Sequence, residues 1–100
     1  MSYRRIMAMQ ITDAGRYAEY RARMTPLMEE YGGRFDYDFT IKEVLKKCCD
    51  VEINRVFMMV FPSKEHARDF FGDPRYKAVR QEYFDSSVGS VTQIAEFEGE

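Results

Sequence analysis

The sequence predicts an α+β protein whose elements follow one another as strand, helix, strand, strand, helix pair and strand. Two observations support this fold class. Apolar residues recur every three or four positions in the segments expected to be helical, and short runs rich in aromatic and β-branched residues lie between and beyond those segments. A third observation concerns assembly. Two of the predicted strands are apolar on both faces, so both sides of the sheet must be covered.

The first strand is predicted over residues 4–11, where apolar side chains occupy both faces. A helix follows, because Thr12 and Asp13 offer N-cap oxygens and Gly32-Gly33 provides an end. Its apolar stripe consists of Tyr17, Tyr20, Met24, Leu27 or Met28, and Tyr31. Pro26 lies inside this helix and removes one backbone donor, so we expect a kink or a fresh helical turn capped by Thr25.

The second strand, residues 35–41, alternates aromatic and polar residues, which predicts aromatic side chains on one face and Asp36 and Asp38 together on the other. Such alternation is typical of a strand at a sheet edge. Residues 43–54 show no sustained period and are interpreted as a long connection. The third strand, residues 55–61, has phenylalanine, methionine and valine on both faces and predicts a central position.

Two short helices and a fourth strand complete the pattern. Ser63 is placed to cap a helix that is closed by Gly72, and Asp73-Pro74 begins another that presents Tyr76 and later apolar residues. The last strand is predicted over residues 88–97. The order of elements is that of the ferredoxin-like βαββαβ fold with an antiparallel four-stranded sheet, in which strands one and three are central. These are the two strands that are apolar on both faces.

Length and charge narrow the function classes. A chain of 100 residues is expected to form one domain over residues 1–100, and its formal net charge of −2 gives no basic field for nucleic acid or an anionic membrane. No signal-peptide pattern or membrane-spanning run is present in the sequence, so we expect a cytoplasmic protein with neither a membrane nor a nucleic acid as partner.

The cysteines and the histidine do not form a recognisable metal motif. Cys48 and Cys49 are adjacent, a spacing that closes a disulfide only through a strained ring, and we interpret them as reduced thiols on a connecting segment. Together with His66 they supply too few ligands for zinc or an iron–sulfur cluster. No glycine-rich phosphate loop is present either. We therefore predict neither a metal nor a cofactor.

Several short motifs, in their order and spacing, resemble the domain of unknown function 1330 family over nearly the whole chain. They are Asp13-x3-Tyr17-x2-Tyr20-Arg21, Tyr31-Gly32-Gly33, Phe61-Pro62-Ser63, Phe70-Phe71 and Asp73-Pro74-x-Tyr76. The resemblance implies the dimeric α+β barrel superfamily, in which two sheets face each other across a homodimer and the helices lie outside. It implies no settled activity, because that superfamily includes cofactor-free monooxygenases, lactone isomerases and haem-binding enzymes.

The candidate binding residues are Tyr17, Tyr20, Tyr76 and Arg80, which would line a pocket between sheet and helices. Arginine and phenol hydroxyls suit a small aromatic or anionic ligand. The same tyrosines could instead be core residues, since their spacing predicts burial. Less favoured candidates are His66, because of its pKa near neutrality, and the carboxylates Asp36 and Asp38, which could share a proton or an ion.

One alternative belongs to another class. Residues 55–61 loosely resemble the third strand of an RNA-recognition motif, although Val56 and Met58 replace its glycines and the net charge is acidic. We therefore favour a homodimeric small-molecule-binding protein or a cofactor-independent enzyme of unknown reaction. The other candidate is a dimeric structural or regulatory module without catalysis. Converging polar groups in one cavity would favour the first, and a filled, dry core would favour the second.

Overall fold

The computed structural model describes residues 2–99, which form a four-stranded sheet and three helices. The strands are β1 (Ser2–Ile11), β2 (Arg34–Thr40), β3 (Arg55–Phe61) and β4 (Val88–Gly99), and the helices are α1 (Ala14–Glu30), α2 (Lys64–Gly72) and α3 (Pro74–Val79). A π-helical turn, Arg80–Phe84, continues α3.

All paired strands are antiparallel, and the spatial order is β2-β3-β1-β4. The ferredoxin-like fold class predicted from the sequence is therefore confirmed, including the central position of the first and third strands. The core explains that placement, because β1 and β3 contribute residues with almost no exposure, such as Tyr3, Met9, Phe57 and Phe61. These residues lie on the face that the helices cover, and each central strand is flanked by a neighbouring strand at both edges.

Capping residues set the helix boundaries where the sequence predicts them. The side chain of Asp13 accepts a hydrogen bond from the backbone N–H of Arg16, and the hydroxyl of Ser63 accepts one from the backbone N–H of His66. Gly32, with φ of 75°, ends α1 in the left-handed region that favours glycine. These residues therefore fix where α1 begins and ends and where α2 begins.

Helix α1 continues past Pro26 and does not restart there. The hydroxyl of Thr25 donates to the carbonyl of Arg21 at 2.6 Å, one turn back in the same helix. Thr25 therefore does not cap a second helical turn, which was one of the two expectations at this position. Such back-bonding occupies the hydroxyl that a cap would have needed.

Strand β2 contains a bulge, so its side chains do not lie on the faces that the sequence predicts. Phe35 lies opposite Met59 of β3 and Tyr37 lies opposite Met58, so Asp36 is an extra residue. Since side chains alternate with a period of two, the extra residue reverses the faces after it. The prediction that the aromatic residues of β2 share a face is wrong. Phe35 packs on Phe57 on the helix side, at 5.5 Å between ring centroids, and the two later aromatic residues lie on the opposite face.

Residues 41–54 have neither helix nor strand and lie at the surface. The connection predicted over residues 43–54 is confirmed, and β2 ends one residue earlier than predicted. Cys48 and Cys49 are both exposed and form no disulfide, and the Sγ of Cys48 donates to the Sγ of Cys49 at 3.9 Å. Among residues 2–99, no helix is long and apolar enough to cross a membrane.

The helices lie on one face of the sheet, which we call the covered face. Its strand residues include Met7, Met9, Phe57 and Met59, all of which belong to the same buried cluster as the helix residues. The other face is called here the open face. Its apolar residues, assigned by strand register and alternation, include Ile6, Tyr37, Phe39, Val56, Met58 and Phe97. Tyr37 is 58% exposed and Phe39 52% exposed.

Candidate functional site

A cavity of about 890 Å³ lies between the covered face and the helices. Much of its wall is apolar and comes from methionine and aromatic side chains of β1, β3, α1 and the π-helical turn. These include Met7, Met9, Met24, Phe57, Met59 and Phe84. Methionine is flexible and polarisable, so such a wall can adapt to aromatic or aliphatic guests. The volume falls in the usual range for small-molecule sites.

Tyr20 and Tyr76 meet inside this cavity, from α1 and α3. Their hydroxyl oxygens lie 2.8 Å apart in a buried hydrogen bond. Burial raises the pKa of Tyr20 well above its ordinary value and also raises the pKa of Tyr76. Both phenols are therefore protonated at neutral pH. One hydroxyl donates to the other, which leaves one O–H to donate to a third group.

Tyr17, one helical turn before Arg21, has a different environment. Its hydroxyl accepts from Nε of Arg21 at 2.9 Å, and burial raises its pKa. Arg21 also donates to Asp38 at 3.0 Å, and its guanidinium lies 3.9 Å from the ring centroid of Phe35. Its Nη2 is buried without a hydrogen-bond partner among residues 2–99. This cation is fixed in the wall by its packing and by one carboxylate.

Arg80 lies at the rim of the cavity. Its guanidinium is 4.9 Å from the ring centroid of Phe84, and its Nε lies 3.9 Å from the carboxylate of Asp85. Its side chain is 50% exposed. The positive charge of Arg80 acts to lower the pKa values of Tyr20 and Tyr76, although burial outweighs it. The structure therefore brings together all four candidates: Tyr17, Tyr20, Tyr76 and Arg80 line one cavity.

Arg5 also lines the cavity, and it is not among the candidates that the sequence predicts. It projects from central strand β1, and its Nε donates to the hydroxyl of Tyr3 at 2.7 Å. That hydroxyl in turn donates to the carboxylate of Glu96. The guanidinium of Arg5 lies 4.8 Å from the ring centroid of Phe71. The available signal was its spacing, since Arg5 is two residues before Met7 and shares the covered face with it.

The less favoured candidates lie elsewhere. His66 is exposed in the first turn of α2, with Nδ1 2.6 Å from the hydroxyl of Ser63, and it does not line the cavity. Asp36 and Asp38 do not share a face, because the bulge separates them. Asp36 accepts from Arg4 and Arg34 on the open face, and this charge-assisted pairing lowers its pKa.

Asp38 lies on the covered face between two arginines. It accepts two hydrogen bonds from Arg55, at 2.7 and 2.8 Å, and one from Arg21. The hydrogen bonds from Arg55 lower its pKa most. Each aspartate is thus committed to arginines, and no group of three or more potential metal-binding side chains occurs within the described range 2–99.

The resemblance of β3 to an RNA-binding strand does not extend to its geometry. Bases would have to stack on aromatic residues of the open face. Phe57 and Phe61 are 3% and 1% exposed and pack on the covered face. The two phenylalanines behind that resemblance therefore cannot stack on bases.

Comparison with protein families gives one match across almost the whole chain. The family model described as Domain of unknown function (DUF1330) matches residues 4–97. No curated protein matches this chain.

Solved structures with the same fold include proteins of unknown and of described function. A protein of unknown function from Rhodopseudomonas palustris is 18% identical, with a TM-score of 0.83, and the match covers 98% of this chain and 82% of that one. SnoaB, a cofactor-independent oxygenase from Streptomyces nogalater, is 12% identical, with a TM-score of 0.64 and coverage of 98% and 92%. Hydroxynitrile lyase from Passiflora edulis is 13% identical, with a TM-score of 0.69 and coverage of 96% and 91%. At these identities the similarity is one of fold.

Proposed function

The chain belongs to the DUF1330 family of domains of unknown function, and we propose that it binds a small anionic or phenolic molecule in the cavity between its sheet and helices. The observation that carries this proposal is the convergence of polar groups on one apolar cavity. A dimeric module without a ligand would be expected to have a filled, dry core. The cavity of about 890 Å³ favours a binding protein over that alternative.

The cavity supplies two kinds of polar contact. The protonated hydroxyl pair of Tyr20 and Tyr76 can donate one hydrogen bond to a ligand oxygen. Arg80 adds a positive charge at the rim, beside the aromatic ring of Phe84. A donor and a cation beside a methionine-rich wall suit a ligand with an apolar or aromatic body and an anionic or phenolic oxygen.

A cofactor-independent reaction in the same cavity is the second candidate. Two proteins with this fold are described as a cofactor-independent oxygenase and a hydroxynitrile lyase. The feature of this chain that favours such chemistry is the Tyr20–Tyr76 pair, whose raised pKa values keep a proton donor inside an apolar site. The fold alone does not select a reaction.

We further propose that the protein acts as a homodimer formed through the open face. Aromatic and aliphatic side chains remain exposed there, and the rings of Tyr37 and Phe39 stack on each other at 6.0 Å between centroids. Ile94 of β4 is also exposed, at its register shift against β1. An exposed apolar sheet face of this kind marks an interaction surface. A second copy would cover it with residues of the same character.

Native mass spectrometry on gently purified protein tests whether a ligand is bound in the cavity. The Arg80→Ala variant tests whether Arg80 holds that ligand. We expect retained extra mass on the wild type, and a dissociation constant about tenfold or more higher for the variant, because one charge-assisted contact is lost. Arg23→Ala is a matched control. Arg23 is 52% exposed, pairs with Glu19 and lies 4.9 Å from the ring of Tyr83, but it does not line the cavity. A folded Arg80→Ala protein with unchanged affinity would contradict the role of Arg80.

A further inference from the structure

The charge around the cavity differs from that of the whole chain. The protein carries a formal net charge of −2, yet the described residues that line the cavity include six cationic side chains and one acidic side chain, Glu65. The cationic residues are Arg5, Arg21, Lys64, Arg68, Lys77 and Arg80. A cavity lined by one sign of charge concentrates the field inside low-dielectric walls and attracts ligands of the opposite sign.

Most of these cations are poorly suited to hold a ligand inside the cavity. Lys64, Arg68 and Lys77 are exposed on the helices, so water screens them and their side chains remain mobile. Arg80, the proposed anchor, lies at the rim of the cavity and not at the sheet. Arg21 is fixed inside, but Asp38 and Tyr17 occupy its Nη1 and Nε, which leaves only its Nη2 without a partner among residues 2–99. The three exposed cations and Arg21 can attract an anion, but none of them combines a fixed position with two unpaired terminal nitrogens.

Arg5 differs in both respects. It is partly buried on the central strand β1, with its Nε engaged by the hydroxyl of Tyr3 and its guanidinium close to the ring of Phe71. The carboxylate of Glu96 accepts from that same hydroxyl, which orients it toward Arg5 as an acceptor. Within residues 2–99, neither terminal nitrogen of Arg5 has a hydrogen-bond acceptor. The guanidinium is therefore held in place with its terminal edge available.

A fixed guanidinium edge matches a particular ligand group. Two parallel N–H donors suit the two oxygens of a carboxylate, and the planar geometry selects that group over a single hydroxyl. Beyond Arg5 the cavity wall continues with Met7, Met9 and Met59, which lie along the same face of the sheet. We propose that Arg5 binds the carboxylate of an apolar monocarboxylic acid whose body lies along this methionine wall. This inference rests on the proposed function, that the cavity is a small-molecule site.

The test compares acids with their uncharged amides. Calorimetric titration uses aromatic and aliphatic monocarboxylates from benzoate to decanoate, each beside its amide. We expect the best acid to bind wild-type protein about tenfold or more tightly than its amide, since a charge-assisted pair replaces a neutral one. In Arg5→Gln the preference for the acid should disappear, while the affinity for the amide should stay within about twofold.

Two further variants separate charge, geometry and folding. Arg5→Lys keeps the positive charge but lacks the two parallel N–H donors of the guanidinium, so it should retain only part of the preference for acids. Arg23→Gln, away from the cavity, should retain all of it. Unchanged circular dichroism would show that each variant is folded.

The outcomes distinguish this inference from the function on which it rests. Equal binding of acid and amide by the wild type, or an acid preference that survives in Arg5→Gln, would overturn the role of Arg5 and leave the cavity as a binding site. Binding of neither series to the folded wild type would overturn both.

Discussion

The two faces of the sheet are made from the same kinds of residue but have different surroundings. On the covered face, Phe57 and Met59 are buried under helices, and the space left between them and α1 forms the cavity. On the open face, Tyr37 and Phe39 are as apolar as their counterparts but remain more than half exposed. Hydrophobic character leads to the expectation that both faces are covered, but in residues 2–99 helices cover only one of them. The nature of the cover depends on the rest of the chain or on a second copy.

The substitution with the largest expected effect, a loss of stability, lies on the covered face. Phe70 of α2 is fully buried, with its ring centroid 4.4 Å from that of Tyr76 and 5.0 Å from that of Phe71. Phe70→Ala would leave a void under α2 and should lower the free energy of unfolding by about 3–5 kcal/mol. Urea denaturation measures this change.

Leu45→Ala is the control for that experiment, because Leu45 is exposed in the 41–54 connection. We expect it to change the free energy of unfolding by no more than about 0.5 kcal/mol. If the two substitutions had similar effects, α2 would not be the element that holds the covered face closed.

The second-largest expected effect, a weaker dimer, comes from a substitution on the open face. Phe39→Asp places a charge in the stacked pair with Tyr37, at the surface proposed to bind a second copy. We expect the dimer dissociation constant to rise at least about thirtyfold, the change typical of an interface residue that contributes strongly. Sedimentation velocity over a range of protein concentrations measures it.

Val91→Asp is the matched control. Val91 is an exposed apolar residue of β4 that lies on the covered face, at the edge of the cavity. The dimer should survive this substitution. A monomeric wild-type protein, or equal weakening by both substitutions, would mean that the open face is covered in some other way.

The sequence predicts the fold well because the information is local or periodic. Residues 55–61 are apolar on both faces, which identifies a central strand, and Asp13 and Ser63 mark helix starts through their own side chains. The sequence does not reveal the bulge at Asp36, because the bulge arises from the pairing of β2 with β3. The alternation of aromatic and polar residues continues unchanged through the extra residue.

The site was predicted less completely, for a similar reason. Tyr17, Tyr20 and Tyr76 follow from helical spacing, but spacing does not distinguish a tyrosine in a filled core from one that lines a cavity. Arg5 does not stand out in the sequence, because the apolar residues around it define the pattern of β1. A charged residue on the buried face of a central strand was the available signal.

The smallest expected effect concerns the two aspartates that the bulge places on opposite faces. Arginine pairing lowers the pKa of both in the folded protein. Stability from such a carboxylate is present above its unfolded pKa, about 4, and is lost as pH falls toward the folded pKa. Both arginine partners of Asp38, Arg21 and Arg55, are mostly buried, whereas Arg34, one of the two partners of Asp36, is 58% exposed.

In Asp38→Asn, Tm should therefore fall between about pH 4 and pH 2 by a few degrees less than it does in the wild type. In Asp36→Asn the difference from the wild type should be smaller. Scanning calorimetry from pH 6 to pH 2 measures both slopes. If dimerisation through the open face covers Asp36, its effect should grow with protein concentration, whereas that of Asp38 should not, because Asp38 lies on the covered face. Equal and concentration-independent effects would indicate that the two aspartates are equally solvated and that no second copy covers Asp36.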